Sequence, residues 1–203
     1  LDYWKRGRSD FRFVHVSTDE VYGEIYEGEF SEGDQLEPRN PYAATKAGSD
    51  LLALSYHTTH NLPVVVTRSS NTFGPRQHTE KLIPKFLTRA ARGESLPLYG
   101  DGSNVREWIY VEDNCWALDL VLREGEIGEV YNIGSGLELS NLEVTERILE
   151  ATGGSDALIE FVEDRPGHDQ RYALETEKIT GLGWEPRWEF EEGLAETVEF
   201  YLG

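Results

Sequence analysis

Short apolar runs alternate with amphipathic stretches along most of the chain, and that alternation predicts an α/β fold. Phe11–Ser17, rich in β-branched and aromatic residues, reads as a strand, and Gly23–Pro38 as a loop. Asn40 and Pro41 mark a helix start, Asn as cap and Pro at the first helical position, for a helix running to about Thr59. Val64–Arg68 is almost wholly apolar, the pattern of a parallel strand covered on both faces. After Gly74 and Pro75 the pattern predicts a helix over Lys81–Arg92, a strand over Leu96–Tyr99 and a turn at Gly100–Gly102. A strand at Arg106–Val111, a helix at Glu112–Arg123, a strand at Val130–Gly134 and a helix at Leu142–Thr152 follow. Phe161 opens a loop through Asp169, and a helix over Glu191–Leu202 closes the chain. No repeat or flexible linker intervenes, so two packed lobes meeting near Gly74 are expected.

At 203 residues the chain can bury one good-sized core plus a small lobe. No apolar run reaches membrane-spanning length and Leu1–Lys5 lacks signal-peptide architecture, so no membrane association is expected. Cys115 is the single cysteine, which rules out an intrachain disulfide and fits a cytoplasmic location. The 38 acidic against 19 basic residues, a net charge of −19, argue against nucleic acid as a partner. This acidity reads as adaptation to a salty cytoplasm, with a moderately acidic mesophilic enzyme as the alternative.

Ser17-Thr18-Asp19-Glu20-Val21-Tyr22-Gly23 follows a predicted strand, the end of an open α/β sheet where ligands bind. Adjacent Asp19 and Glu20 can act as acid and base if their surroundings separate their pKa values; a solvated acidic turn is the plain alternative. Tyr42 and Lys46, four apart, share a helix face, so the ammonium is expected to draw the phenol below its usual pKa of about 10. The alternative is an ordinary helix with Tyr packed and Lys exposed. His15 and the His57/His60 pair lack companion ligands and read as packed or surface residues, so no metal is expected.

Together with Tyr42-x-x-x-Lys46, the strand-end segment is joined by Ser70-Asn71-Thr72-Phe73-Gly74-Pro75, Glu80-Lys81-Leu82-Ile83-Pro84, Arg106-Glu107-Trp108-Ile109-Tyr110-Val111-Glu112-Asp113 and Asp164-Arg165-Pro166-Gly167-His168-Asp169. In this order they resemble the extended short-chain dehydrogenases/reductases, and among these the dTDP-glucose 4,6-dehydratases. The resemblance implies the C-terminal part of a Rossmann-type doubly wound parallel sheet with a smaller α/β substrate-binding lobe. Residues 1–74 would belong to the NAD-binding domain and 75–203 mainly to the nucleotide-sugar lobe, with about 105–134 partly returning to the Rossmann domain.

It further implies NAD as cofactor and catalytic roles for Thr18, Asp19, Glu20, Tyr42 and Lys46. Tyr42 would take the proton of the sugar 4-hydroxyl, Lys46 would hold the nicotinamide ribose, and Thr18 would bond the 4-oxygen. Glu20 would take the C5 proton while Asp19 protonates the leaving 6-hydroxyl. Thr72 would lie near the cofactor, where the family more usually has Asn. Asn71 and Leu82 would touch the nucleotide sugar, Lys81, Arg106 and Arg165 its diphosphate, and Pro97, Tyr99, Asn141 and His168 its base and sugar. A UDP-sugar 4-epimerase, a UDP-glucuronate decarboxylase and an inactive nucleotide-sugar-binding fragment remain the alternatives.

The family's glycine-rich dinucleotide loop has no counterpart here, since Gly134-Ser135-Gly136 lacks the spacing. The chain is therefore expected to be the C-terminal part of a longer enzyme, beginning within a helix at Leu1 and binding NAD weakly or not at all by itself. Val64–Arg68 would then form an exposed apolar sheet edge. The complete protein would be a homodimer joined through the Tyr42 helix and the helix before it.

Overall fold

The computed structural model describes residues 11–203; the helix expected at Leu1 lies outside the described residues. The first elements are β1 (Phe13–Thr18), α1 (Pro41–His60), β2 (Val64–Ser69), β3 (Asn71–Phe73), α2 (Leu82–Ala90), β4 (Leu96–Tyr99) and β5 (Val105–Tyr110). They are followed by α3 (Val111–Glu124), β6 (Val130–Ile133), β7 (Glu138–Ser140), α4 (Asn141–Thr152), β8 (Ile159–Val162), α5 (Glu177–Thr180) and α6 (Phe190–Leu202).

α1 begins as its sequence dictates: Asn40 Oδ1 accepts the Ala43 N–H at 2.8 Å, and Pro41, with no N–H to satisfy, occupies the first turn. It ends at Asn61, whose left-handed φ of 54° closes the last turn. Every residue of β2 is buried, with Val64 and Val66 packed beside Ala53 and Leu62 on the α1 side. Val65 packs instead with Ala117 and Val121 of α3. Alternate residues of one strand thus serve two helical layers, which is why the run contains no polar alternation.

The sheet order is β1-β2-β6, all parallel, with Val14 opposite Val65 and Val66 opposite Val130. This corrects the expectation of an exposed apolar edge at Val64–Arg68. β2 is central, because β6 returns from far downstream to pair with it, and β1 and β6 are the edges among the described residues. The local pattern carries no sign of that return, which the resemblance alone implied for about 105–134.

A second lobe holds two small sheets. β5 pairs with β3 in parallel and with β7 antiparallel, while β4 pairs with β8 in parallel. β3, β7, β8 and the short α5 were not anticipated from the sequence. Phe161, expected to open a loop, instead lies in β8 opposite Leu98. α2, α4 and α6 cover this lobe through Phe86, Leu87, Ile148, Leu149, Phe190 and Leu194. α4 is started by a capping box in which Ser140 and Glu143 satisfy each other's backbone N–H.

Gly193 lets α6 lie directly on the Tyr110 ring, since a Cβ there would sit 2.6 Å from its Cδ2. Gly193→Ala should therefore overpack the lobe and cost about 1–3 kcal/mol. The loss would be read as a lower urea midpoint at unchanged slope. A variant as stable as the parent would mean that the Tyr110 ring yields freely.

Candidate active site

At the carboxyl end of β1 the chain turns into a short 3-10 helix, Asp19–Tyr22, capped by Thr18, whose Oγ1 accepts the Glu20 N–H at 3.4 Å. The Thr18 hydroxyl donates to Asp19 Oδ1 at 3.0 Å. Asp19 is only 1% exposed, and its Oδ2 has no hydrogen-bond partner among the described residues. Burial pushes its pKa up to about 7, assisted by the neighbouring Glu20 charge and, more weakly, by Glu107. Glu20 remains partly accessible and accepts a hydrogen bond from Asn40 Nδ2 at 3.2 Å. The two carboxyls thus differ in burial and in partners, as a division into acid and base requires.

Tyr42, 52% exposed, stands on the first turn of α1 within the field of this pair. Its pKa is raised by partial burial and then by the charges of Glu20 and Asp19, the opposite of the lowering expected from Lys46. The reason is geometric: Lys46 Nζ donates to the Val16 carbonyl at 2.6 Å, so the ammonium is anchored on β1.

Arg106 joins this cluster to the second lobe. It is 5% exposed and donates to the carbonyls of Val105 at 2.6 Å and Asp169 at 2.8 Å, with its guanidinium 4.5 Å from the Tyr172 ring. Burial lowers its pKa, and the charges of Tyr172 and Asp19 oppose that shift. Beyond it, Tyr99 of β4 meets His168 edge to face at 6.2 Å. His168 Nδ1 lies 2.7 Å from Asp164 Oδ1, and its pKa is lowered chiefly by burial. Arg165 in the same loop is exposed, and Pro97 stands two residues before Tyr99 on β4.

The remaining expected residues are more dispersed. Asn71 and Thr72 lie on β3 beside Trp108 and Ile109. Thr72 Oγ1 accepts from Asn114 Nδ2 at 2.9 Å and faces a cleft of about 550 Å³ with Gly74, Arg76 and Glu112. Lys81 is exposed at the start of α2, whereas Leu82 packs against the second-lobe core. Asn141 is buried at the first turn of α4, its N–H on the Asn104 carbonyl at 2.9 Å. The Arg106 guanidinium is held by backbone carbonyls, and the nearby charge of Arg165 adds to the lowering of its pKa.

Sequence reasoning missed Glu107 and Asp50. Glu107, 1% exposed, accepts the N–H groups of Gly136 at 2.8 Å and Leu174 at 3.1 Å, and burial pushes its pKa up to about 7. Its signal was a carboxylate beside the apolar run Trp108-Ile109-Tyr110. Asp50 is fully buried; Arg68 Nε donates to its Oδ2 at 3.0 Å, and His15 Nε2 lies 3.1 Å from its Oδ1. Arg68 also donates to the Tyr22 hydroxyl at 2.8 Å, which in turn donates to Asn132 Oδ1 at 2.7 Å. This network fastens α1 to the sheet. His57 Nδ1 lies 2.8 Å from the Leu62 carbonyl, and no group of side chains among the described residues could hold a metal ion. No described helix is long and apolar enough to cross a membrane.

Known proteins are similar to this chain in sequence and in fold. The low-salt glycan biosynthesis protein Agl12 of Haloferax volcanii is 71% identical over 95% of this chain and 62% of its own length. A dTDP-glucose 4,6-dehydratase of an Actinoplanes species is 58% identical over 94% of this chain and 60% of its own. A dTDP-glucose 4,6-dehydratase from Streptomyces venezuelae, solved with NAD and TYD bound, superposes with a TM-score of 0.92 at 53% identity, covering 94% of this chain and 59% of that one. The chain thus spans about 60% of the length of these relatives, and its architecture is the Rossmann-type α/β fold they share. The family model for GDP-mannose 4,6 dehydratase matches residues 1–197, and the chain belongs to that family.

Proposed function

We propose that the full-length protein is an NAD-dependent nucleotide-sugar 4,6-dehydratase that converts dTDP-glucose to dTDP-4-keto-6-deoxyglucose. The observation that carries this reading is the Asp19–Glu20 pair: one carboxyl buried with an orphaned oxygen, the other accessible, both within the field of Tyr42. Elimination of water across C5 and C6 needs an acid and a base side by side. The 46–58% identity to relatives named as dTDP-glucose 4,6-dehydratases supports the same reading.

The residues present fit NAD. An exposed phenol and a lysine anchored at the end of a parallel strand lie where ligands of such sheets bind. When bound, NAD supplies hydride acceptance at C4 and hydride return at C6. Lys46 would hold the nicotinamide ribose, with Thr72 nearby. Tyr42 would take the 4-hydroxyl proton, and Thr18 would bond the 4-oxygen. The resulting ketone acidifies C5, whose proton goes to Glu20; the electron pair left behind expels the 6-oxygen, which leaves as water with a proton from Asp19. A pKa of about 7 keeps Asp19 partly protonated for that step near neutrality.

Asn71, Lys81, Leu82, Arg106 and Arg165 would hold the sugar diphosphate, and Pro97, Tyr99, Asn141 and His168 the base and sugar. Residues 1–74 would serve the cofactor and 75–203 mainly the nucleotide sugar, with about 105–134 returning to the first domain, in a cytoplasmic homodimer. The test is incubation of the full-length protein with dTDP-glucose, UDP-glucose and UDP-glucuronate in parallel. The 4-keto-6-deoxy product, preferentially from dTDP-glucose, is expected. A 4-epimer, or from UDP-glucuronate a pentose with carbon dioxide, would replace this reading with another.

A further inference from the structure

Asn40 caps α1 through its Oδ1, which accepts the Ala43 N–H at 2.8 Å. The other end of the same amide makes a bond that capping does not require: Nδ2 donates to Glu20 Oε2 at 3.2 Å. We infer that Asn40 is a positioning residue for Glu20, a single amide that sets this carboxylate relative to the helix carrying Tyr42. The inference rests on the reading of Glu20 as the group that takes the C5 proton.

Both bonds demand the same orientation of the amide, since the helix N–H needs an acceptor and the carboxylate needs a donor. Among the residues favoured at a helix N-cap, Asn alone carries its acceptor and donor on two different atoms. Ser and Thr cap with one oxygen, and an ionised Asp has nothing to donate. Asn40 is itself fixed from both sides. Pro41 restricts the following turn, while Arg39 pairs with Glu24 and lies 3.4 Å from Asp169 Oδ1. The returning loop also closes tightly on the 3-10 helix that bears Glu20: a Cβ on Gly23 would lie 2.6 Å from the Glu37 carbonyl oxygen, and Gly23 has a φ of 88°. Glu20 is thereby held from the α1 end, and Lys46, occupied at Val16, takes no part. Removing the Nδ2 donor should slow C5 deprotonation while leaving oxidation at C4 intact.

The test compares the full-length protein with Asn40→Ser, which keeps a capping oxygen but is too short for the second bond, and with Asn40→Asp. The latter also caps but sets carboxylate against carboxylate. With dTDP-glucose in deuterated water, both variants should melt close to the parent. Their kcat should fall about tenfold or more, the scale of one hydrogen bond to a charged group. Reduced cofactor should form at the parental initial rate and then accumulate, and deuterium should enter C5 correspondingly slowly. Unchanged kcat in both variants overturns the inference. So does a loss in which cofactor reduction slows by the same factor, because Asn40 would then serve only the Tyr42 helix. Failure of the dehydratase reading would register separately, as no 4-keto-6-deoxy product from the unmutated protein, and would take this inference with it.

Discussion

Asp19→Asn is expected to make the protein more stable at about pH 8 and, in the same variant, to cut dehydration about 10²–10⁴-fold. Stability rises because the carboxyl is buried, one of its oxygens is orphaned, and its pKa of about 7 lies well above the ordinary value of 3.8. The folded state then holds a proton that the unfolded state releases, so stability is full below about pH 4, declines as pH climbs towards 7 and stays low above it. Neutral Asn escapes that decline, a gain on the order of 2–4 kcal/mol at about pH 8 that vanishes near pH 4. Urea unfolding at the two pH values measures it. Equal midpoints at both would mean that Asp19 is solvated well enough to ionise freely. Glu107, also raised to about 7, contributes to the same pH slope and remains in the variant, so the slope should shrink without disappearing.

Asp50→Ala should be among the most damaging substitutions in the described chain. It leaves the Arg68 guanidinium, 3% exposed, buried without its carboxylate, a loss of about 3–5 kcal/mol. Against a total stability of about 5–15 kcal/mol that is a large share, so the variant should unfold at a clearly lower denaturant concentration. Asp50→Asn keeps the shape and one acceptor, and should lose less. Denaturant titration of both variants decides the matter, and a loss below about 1 kcal/mol for the alanine would show that water reaches Arg68. Because the network includes Tyr22, in the turn that carries Asp19 and Glu20, the damage should extend to the active-site geometry.

Much of this was legible beforehand because it rested on local rules. Asn40-Pro41 announced α1, and the valines of β2 announced a strand covered on both faces. Thr18, Asp19, Glu20 and Tyr42 were legible as a cluster because a strand end and a helix start recur together in the resembled family. β3, β7 and β8 were not legible, because so short a run has little period and, unlike the equally short β4 and β6, these were not picked out by their apolar residues. The Lys46 anchor was hidden for a related reason: helical spacing gives a shared face, but a long flexible side chain takes the best acceptor within reach, here a carbonyl of another element. Asp50 was passed over because, by sequence, a carboxylate within a helix reads as solvated.

The strand order also governs how the molecule must fold. β2 pairs with β1 through Phe13↔Val64 and with β6 through Val66↔Val130, and β4 pairs with β8 through Leu96↔Ile159. None of these is a hairpin, and each needs a long loop to close before any ladder bond rewards it. The helices can form early, but the central strand acquires its second neighbour only after the chain has emerged past Ile133. Until then a strand that ends up buried at every position stands half-paired. Refolding should therefore be slow and concentration-sensitive, with aggregation competing at the moment when β2 awaits β6.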